Sequence, residues 1–199
     1  REFSHLLSRM NISRKIVIGH WTDENVHKEI GVWTRAALGW DEIQNLKVAR
    51  FGDNMRDVAV TEGDKLEAQI KFGFSVNGYD SDDIFKEIKY LKDVDIIPII
   101  EEYYSEYEIT KQLRIGGVHH SSLIDAAKIE LGIERFLKKV GCMAFTTTFE
   151  NLGSLKQLPG ISVQRLMKKG YGFGAEGDWK VAALLRTMKV MADGIHRGT

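Results

Sequence analysis

Apolar and polar positions along the chain switch repeatedly between two periods. Short apolar runs or two-residue alternations end at glycine or aspartate, and stretches with apolar residues three and four apart follow them. Lys15-Ile16-Val17-Ile18-Gly19 reads as a first strand closed by a glycine. Val26, Ile30, Trp33 and Ala37, spaced four, three and four, predict a helix starting near Asp23. The period lapses over residues 39–45, which predicts a connection and a domain boundary. Leu46-Lys47-Val48-Ala49-Arg50-Phe51 alternates like a strand and runs into the turn residues Gly52, Asp53 and Asn54.

Beyond that turn, Thr61 and Asp64 have capping-box spacing, so Thr61 is expected to receive an early amide and Asp64 to reach back. A helix with Leu66 and Ile70 on one face follows. Phe74-Ser75-Val76 fits a short strand, and residues 80–83 open a helix that aligns Ile84, Ile88 and Leu91. Ser122 and Asp125 repeat the capping-box spacing before a longer helix, with Leu123, Ala127 and Leu131 on one face and Ile124 and Phe136 beside it. Met143-Ala144-Phe145-Thr146 reads as a buried strand, Val163, Leu166 and Met167 mark a short helix after Pro159, and a final helix spans 178–191. No internal repeat or low-complexity tract interrupts this order.

Each strand candidate is short and is followed by a helix. The expected architecture from residue 46 onward is therefore α/β: a doubly wound, mostly parallel sheet with flavodoxin- or Rossmann-like layers. Ligands of such sheets collect beyond the carboxyl ends of the strands. That rule singles out residues 51–56, 146–150 and 170–179.

Composition narrows the functional classes. Of 199 residues, 43% are apolar, enough for a sizeable core, and 28 basic side chains balance 28 acidic ones along the whole length. A net charge of zero gives no long-range attraction to a phosphate backbone or an anionic bilayer. No apolar run approaches the roughly 18 residues of a spanning helix, and the first residues lack the pattern of a secretion signal, so a soluble, cytoplasmic chain is expected. Cys142 stands alone, which excludes a disulfide framework and a cysteine-based zinc site, and two prolines argue against a disordered linker. The chain starts at Arg1 rather than at a methionine and stops just after a glycine-bearing stretch, so it is expected to be a portion of something longer.

Among residues that carry chemistry, Gly172, Gly174 and Gly177 form a formal dinucleotide fingerprint. That fingerprint needs a strand directly before it and an acid about 20 residues on. Here a helix ending in Met167-Lys168-Lys169 precedes it and Asp193 is only roughly placed, so nucleotide binding is disfavoured. The glycines let the backbone turn tightly, bringing Glu176 beside the start of the last helix. The positive end of a helix favours an ionised acid, and an ionised carboxylate there can hold a divalent cation. The plain alternative is that Glu176 and Asp178 only cap that helix. Glu150, after Phe149 and a run of three threonines, either faces a ligand or is an ordinary solvated loop acid. The six histidines show no ligand spacing: His119-His120 reads as a solvated loop pair, His20 as part of a turn and His27 as helix surface. Met55 beside Asp53, Asn54 and Arg56 suits a small polar ligand, and a plain turn explains it equally well.

Several stretches together carry a family resemblance: Val48-Ala49-Arg50-Phe51-Gly52-Asp53-Asn54-Met55-Arg56, Val58-Ala59-Val60-Thr61-Glu62-Gly63-Asp64-Lys65, and Gln69-Ile70-Lys71-Phe72-Gly73-Phe74-Ser75-Val76-Asn77. With them go Ala144-Phe145-Thr146-Thr147-Thr148-Phe149-Glu150, Lys156-Gln157-Leu158-Pro159-Gly160 and Glu176-Gly177-Asp178-Trp179-Lys180. In this order, over nearly all of the chain, they resemble the bacterial L-arabinose isomerases. The resemblance implies the fucose/arabinose isomerase type of fold, with residues 1–43 as the end of an N-terminal α/β domain, 44–199 as a central α/β domain, and a C-terminal β domain absent from this chain.

It also implies an activity: an aldose-ketose isomerase that converts L-arabinose to L-ribulose, and in many members D-galactose to D-tagatose. In that family a divalent metal, usually Mn2+, polarises the sugar oxygens while two glutamates move a proton between C1 and C2 through an ene-diol. Glu176 matches the first of those glutamates and a metal ligand, and Met55 and Phe149 match residues lining the sugar pocket. The second glutamate and two ligand histidines would lie past Thr199, and a homo-oligomer, trimer or hexamer, with shared active sites is implied. Gly153-Ser154 departs from a usual His-Gly, and His119-His120 sits where the family tends to be basic, which leaves loop conformation and substrate preference open. A non-catalytic sugar-binding module and an assembly domain stand as the alternatives.

Overall fold

The computed structural model describes residues 2–192. Four strands form one sheet among these residues: β1 (Lys47–Phe51), β2 (Ser75–Tyr79), β3 (Ala144–Thr147) and β4 (Gly172–Gly174). They are all parallel and lie in the order β2-β1-β3-β4. Parallel neighbours require crossovers, and helices supply them on both faces, as the alternation of the strands demands. Ala49, Phe51 and Phe145 point to one side and pack on α4 (Ser81–Ile88), α6 (His120–Val140) and α7 (Gly160–Lys168), through Ile84, Ile133, Phe136, Leu137 and Leu166. Val48 and Ala144 point to the other and pack with Phe74, Trp179, Ala182 and Ala183, against α2 (Glu24–Asn45), α3 (Lys65–Phe72) and α8 (Trp179–Ala192). The doubly wound α/β layering expected from the sequence is the one observed.

Strand β4 is a departure. Residues 172–174 read as part of a glycine loop, yet they pair with β3, Gly172 opposite Ala144 and Gly174 opposite Thr146. Three residues are too few for a periodicity to show. Their glycines serve close packing of α8 on the sheet edge, because a Cβ at Gly172 would collide with the Ala182 carbonyl and one at Gly174 with that of Asp178.

Other departures have similarly local causes. Residues 15–19 form no strand; Ile16 and Ile18 are exposed, and among the described residues no strand lies beside them to satisfy the backbone. Residues 39–45 are no connection, since α2 runs unbroken to Asn45. That end is tied to α8 by the Arg186–Glu42 ion pair at 2.6 Å, while Leu38 and Trp40 face outward and blur the pattern. Asp64, not Thr61, caps α3, accepting from the Glu67 amide at 2.9 Å, and the aligned Leu66 and Ile70 form an exposed face. Helix α6 starts at His120, ahead of the Ser122–Asp125 pair. An unanticipated helix, α5 (Asp93–Glu106), carries Pro98 inside it and apolar residues on several sides, so no clean stripe announces it. Helix α1 (Glu2–Arg9) buries none of its residues.

Helices α5, α6 and α7 meet over a buried polar cluster. Glu130 is fully buried and accepts from the Tyr103 hydroxyl at 2.8 Å, from Arg165 Nε at 2.9 Å and from Lys169 Nζ at 3.2 Å. Arg165 also binds Glu102 and Glu106. Cys142 is buried at the end of α6, and burial pushes its thiol up to about 11. At pH 8 the folded chain is therefore expected to resist a thiol-disulfide reagent that labels it within minutes once denatured; rapid labelling without denaturant would contradict this burial. No helix among the described residues is long and apolar enough to cross a membrane.

Candidate functional site

The parallel register brings the carboxyl ends of β1, β3 and β4 side by side, with Phe51 opposite Thr147 and Thr146 opposite Gly174. The three segments singled out by the ligand rule consequently meet. After β1 the chain turns at Gly52, whose left-handed φ of 77° no bulky residue would adopt readily. Asp53 stabilises that turn by accepting from the Asn54 amide at 2.8 Å. This hydrogen bond, and next the Arg50 charge, hold its carboxyl below the ordinary value.

The loop after β4 is held from two directions. Glu176 and Gly177 are both left-handed, at φ 61° and 84°. The Glu176 carbonyl accepts from the Met55 amide at 3.0 Å, the Gly177 amide donates to the Thr147 carbonyl at 3.1 Å, and the Gly177 carbonyl accepts from Asn54 Nδ2 at 3.3 Å. A Cβ at Gly177 would lie 2.6 Å from Asn54 Cα, so only glycine lets these loops touch.

Met55 is half-buried beside Glu176, linked to it through the backbone. Phe149 is 45% exposed on the loop after β3. That loop is joined to the β1 loop by its next residue: the Glu150 carboxylate accepts from both the amide and Nε of Arg56 at 3.2–3.3 Å. Glu150 thus acts as a latch between the two loops that carry Met55 and Phe149.

Helix capping at this edge belongs to Asp178, whose carboxylate accepts from the Lys180 and Val181 amides at 3.1 Å. Glu176 is half-buried, and no hydrogen bond or ion pair of the described residues ends on its carboxylate. A non-glycine residue in the left-handed region is uncommon and costs free energy, and here its side chain gains no partner among the described residues. That combination is what an acid kept for an external cation or proton would show. A hard carboxylate oxygen suits a divalent metal such as Mn2+. Among the described residues, however, no group of three or more histidine, cysteine, aspartate or glutamate side chains is arranged to hold a metal ion.

The described histidines stay apart from this edge's hydrogen bonds. His120 Nδ1 lies 3.0 Å from the Leu113 carbonyl at the start of α6, His119 is exposed, His20 pairs with Thr22 in a turn and His27 lies on the exposed surface of α2. Asp193 lies outside the described residues. What the sequence reading missed is the inward role of Asn54, taken for a turn residue, and of Arg50. An arginine inside a strand bounded by Val48, Ala49 and Phe51 needs a partner, and the acceptors Asp53 and Asn54, three and four residues on, both bind it; that spacing is the available signal.

Comparison with known proteins gives a consistent result. Residues 47–194 match the family model for the L-arabinose isomerase central domain, and residues 1–45 match that for its N-terminal domain. Among curated proteins, the L-arabinose isomerases of Flavobacterium johnsoniae, Pectobacterium atrosepticum and Herpetosiphon aurantiacus are 59%, 54% and 52% identical over the whole of this chain. The chain spans about 40% of the length of each of these relatives.

Proposed function

The chain belongs to the L-arabinose isomerase family, and from that premise we propose that it is part of an enzyme converting L-arabinose to L-ribulose, with D-galactose to D-tagatose as a second reaction. In this reading residues 1–43 end an N-terminal α/β domain, residues 44–199 make most of the central domain, and a C-terminal β domain completes the protein. The observation that carries the reading is the Glu176 carboxylate. Among the described residues it has no hydrogen-bond or ion-pair partner, and it stands on a left-handed backbone at the carboxyl edge of the sheet.

Isomerisation moves a proton from C2 of the sugar to C1 while the carbonyl shifts from C1 to C2, so no external oxidant or reductant is required. Glu176 is positioned to hold that proton and to contribute one oxygen ligand to Mn2+. Bound Mn2+ would polarise the sugar's oxygens and lower the barrier to proton loss. Met55 and Phe149 offer apolar surface to the C–H face of the sugar and exclude water from it. The exposed Leu66 and Ile70 of α3, with Leu184 and Met188 of α8, support contacts with further domains or subunits, in a cytoplasmic homo-oligomer, trimer or hexamer, with shared sites.

One ligand and one acid are too few for tight metal binding or a proton relay. The 199-residue chain with Mn2+ is therefore expected to form no ketose from L-arabinose, whereas the full-length protein does. A colorimetric ketose assay on both decides it, and an inactive full-length protein would overturn the assignment.

A further inference from the structure

The geometry points to Asn54 as the positioning residue of Glu176, an inference that rests on the reading of Glu176 as a metal ligand. Asn54 is 8% exposed and uses both ends of its amide. Its Oδ1 accepts from Arg50 Nη1 at 2.9 Å, and its Nδ2 donates to the carbonyls of Thr61 and Gly177. An amide is the one small side chain that joins an acceptor and two donors in this arrangement.

The group it holds is the Gly177 carbonyl, in the peptide next after the one that joins Glu176 to Gly177. Two adjacent left-handed residues do not stay so unaided, and the contacts that fix them come from the Met55 amide, the Thr147 carbonyl, the Trp179 amide and the Asn54 side chain. Only the last is a side-chain contact, and so it alone can be removed by substitution without touching the backbone. Arg50 sets Asn54 in turn. Its guanidinium binds Asp53 and Asn54, and its register neighbours on either side are Gly78 and Thr146, both small enough to leave it room. No described side chain binds the Glu176 carboxylate, so its direction follows from how these backbone contacts and the Asn54 clasp hold the loop.

Asn54→Asp tests the point because it keeps the shape while turning two donor hydrogens into acceptor lone pairs that face two carbonyl oxygens. In the full-length protein, Mn2+ affinity is read by electron paramagnetic resonance of the free ion, at a temperature well below unfolding. Groups that orient a metal ligand typically govern affinity by 10–100-fold, and a loss of about that size is expected for Asn54→Asp.

The same substitution in a Glu176→Gln background should weaken Mn2+ by less than about 3-fold further, since Asn54 acts through the missing carboxylate. Full additivity, or unchanged affinity in Asn54→Asp alone, would overturn the clasp and leave the role of Glu176 intact. Unchanged affinity in Glu176→Gln alone would instead overturn the metal-ligand reading itself. Should Asn54→Asp not fold, Asn54→Ser, which loses the reach to Gly177 without adding charge, is read through the same cycle with the same two criteria.

Discussion

Glu176→Gln in the full-length protein is expected to abolish measurable L-arabinose turnover, lowering kcat by roughly 10²–10⁴-fold, the range that a positioned acid or base contributes. Glutamine keeps the volume and one acceptor oxygen but has no charge to attract Mn2+ and no site to carry a proton. The loss should not come from unfolding. The carboxylate accepts no hydrogen bond and forms no ion pair among the described residues, so its neutralisation removes no intramolecular contact. Substitutions of that kind usually shift stability by no more than about 0.5 kcal/mol. Thermal unfolding of the metal-free variant should overlay that of the parent, while ketose formation at saturating Mn2+ disappears. Near-normal turnover would remove Glu176 from the chemistry, and a lowered unfolding temperature would assign it a structural task instead.

The elements that pattern alone disclosed are those with a sharp contrast between faces. Strands β1 and β3 and helices α7 and α8 each place a short apolar set against one core, and their positions follow from spacing. Where contrast is low the pattern fails for a physical reason. Helix α5 carries exposed Val94 and Ile97 beside its buried Ile96, Ile99 and Tyr103, and β4 is three residues of which two are glycine. The isoleucines at 16 and 18 would make a strand only against a partner strand, and none of the described strands lies beside them. Legibility of the site divides in the same way. That residues 51–56, 146–150 and 170–179 should meet follows from strand order, because parallel strands deliver their following loops to one edge. Which side chain of each loop turns inward does not follow. Asn54 and Asp53 are adjacent turn-formers of nearly equal size, yet Asn54 is buried and the Asp53 side chain is 82% exposed. Only the neutral amide can face two carbonyl oxygens, and those carbonyls come from Thr61 and Gly177, seven and 123 residues away.

Arg165→Ala is expected to produce the largest loss of stability, about 3–5 kcal/mol, because it strands a buried acid rather than deleting a surface pair. Arg165 is 4% exposed and binds Glu130, which is 0% exposed, so the variant leaves that carboxylate with only Tyr103 and Lys169. Against a typical total of 5–15 kcal/mol this is a large fraction, equivalent to a fall in Tm of roughly 6–20 °C for a chain of this size. The damage should be local before it is global. Glu102, Glu106 and Tyr103 all lie on α5, and each of them meets Arg165 or Glu130, so hydrogen exchange in α5 should quicken more than in the sheet. The Arg165→Met, Glu130→Leu double variant removes both charges and should recover much of the loss, which would separate a stranded charge from lost packing. Acid should narrow the gap between Arg165→Ala and the parent. The Lys168 hydrogen bond, and after it the Arg165 charge working against desolvation, hold Glu106 below its ordinary value. Its contribution is complete above the unfolded carboxylate value of about 4.3 and is lost as pH falls through the lower folded value. Denaturant melts at pH 7 and pH 3 measure both effects, and a difference below about 1 kcal/mol at pH 7 would show that the cluster is solvated and contributes little.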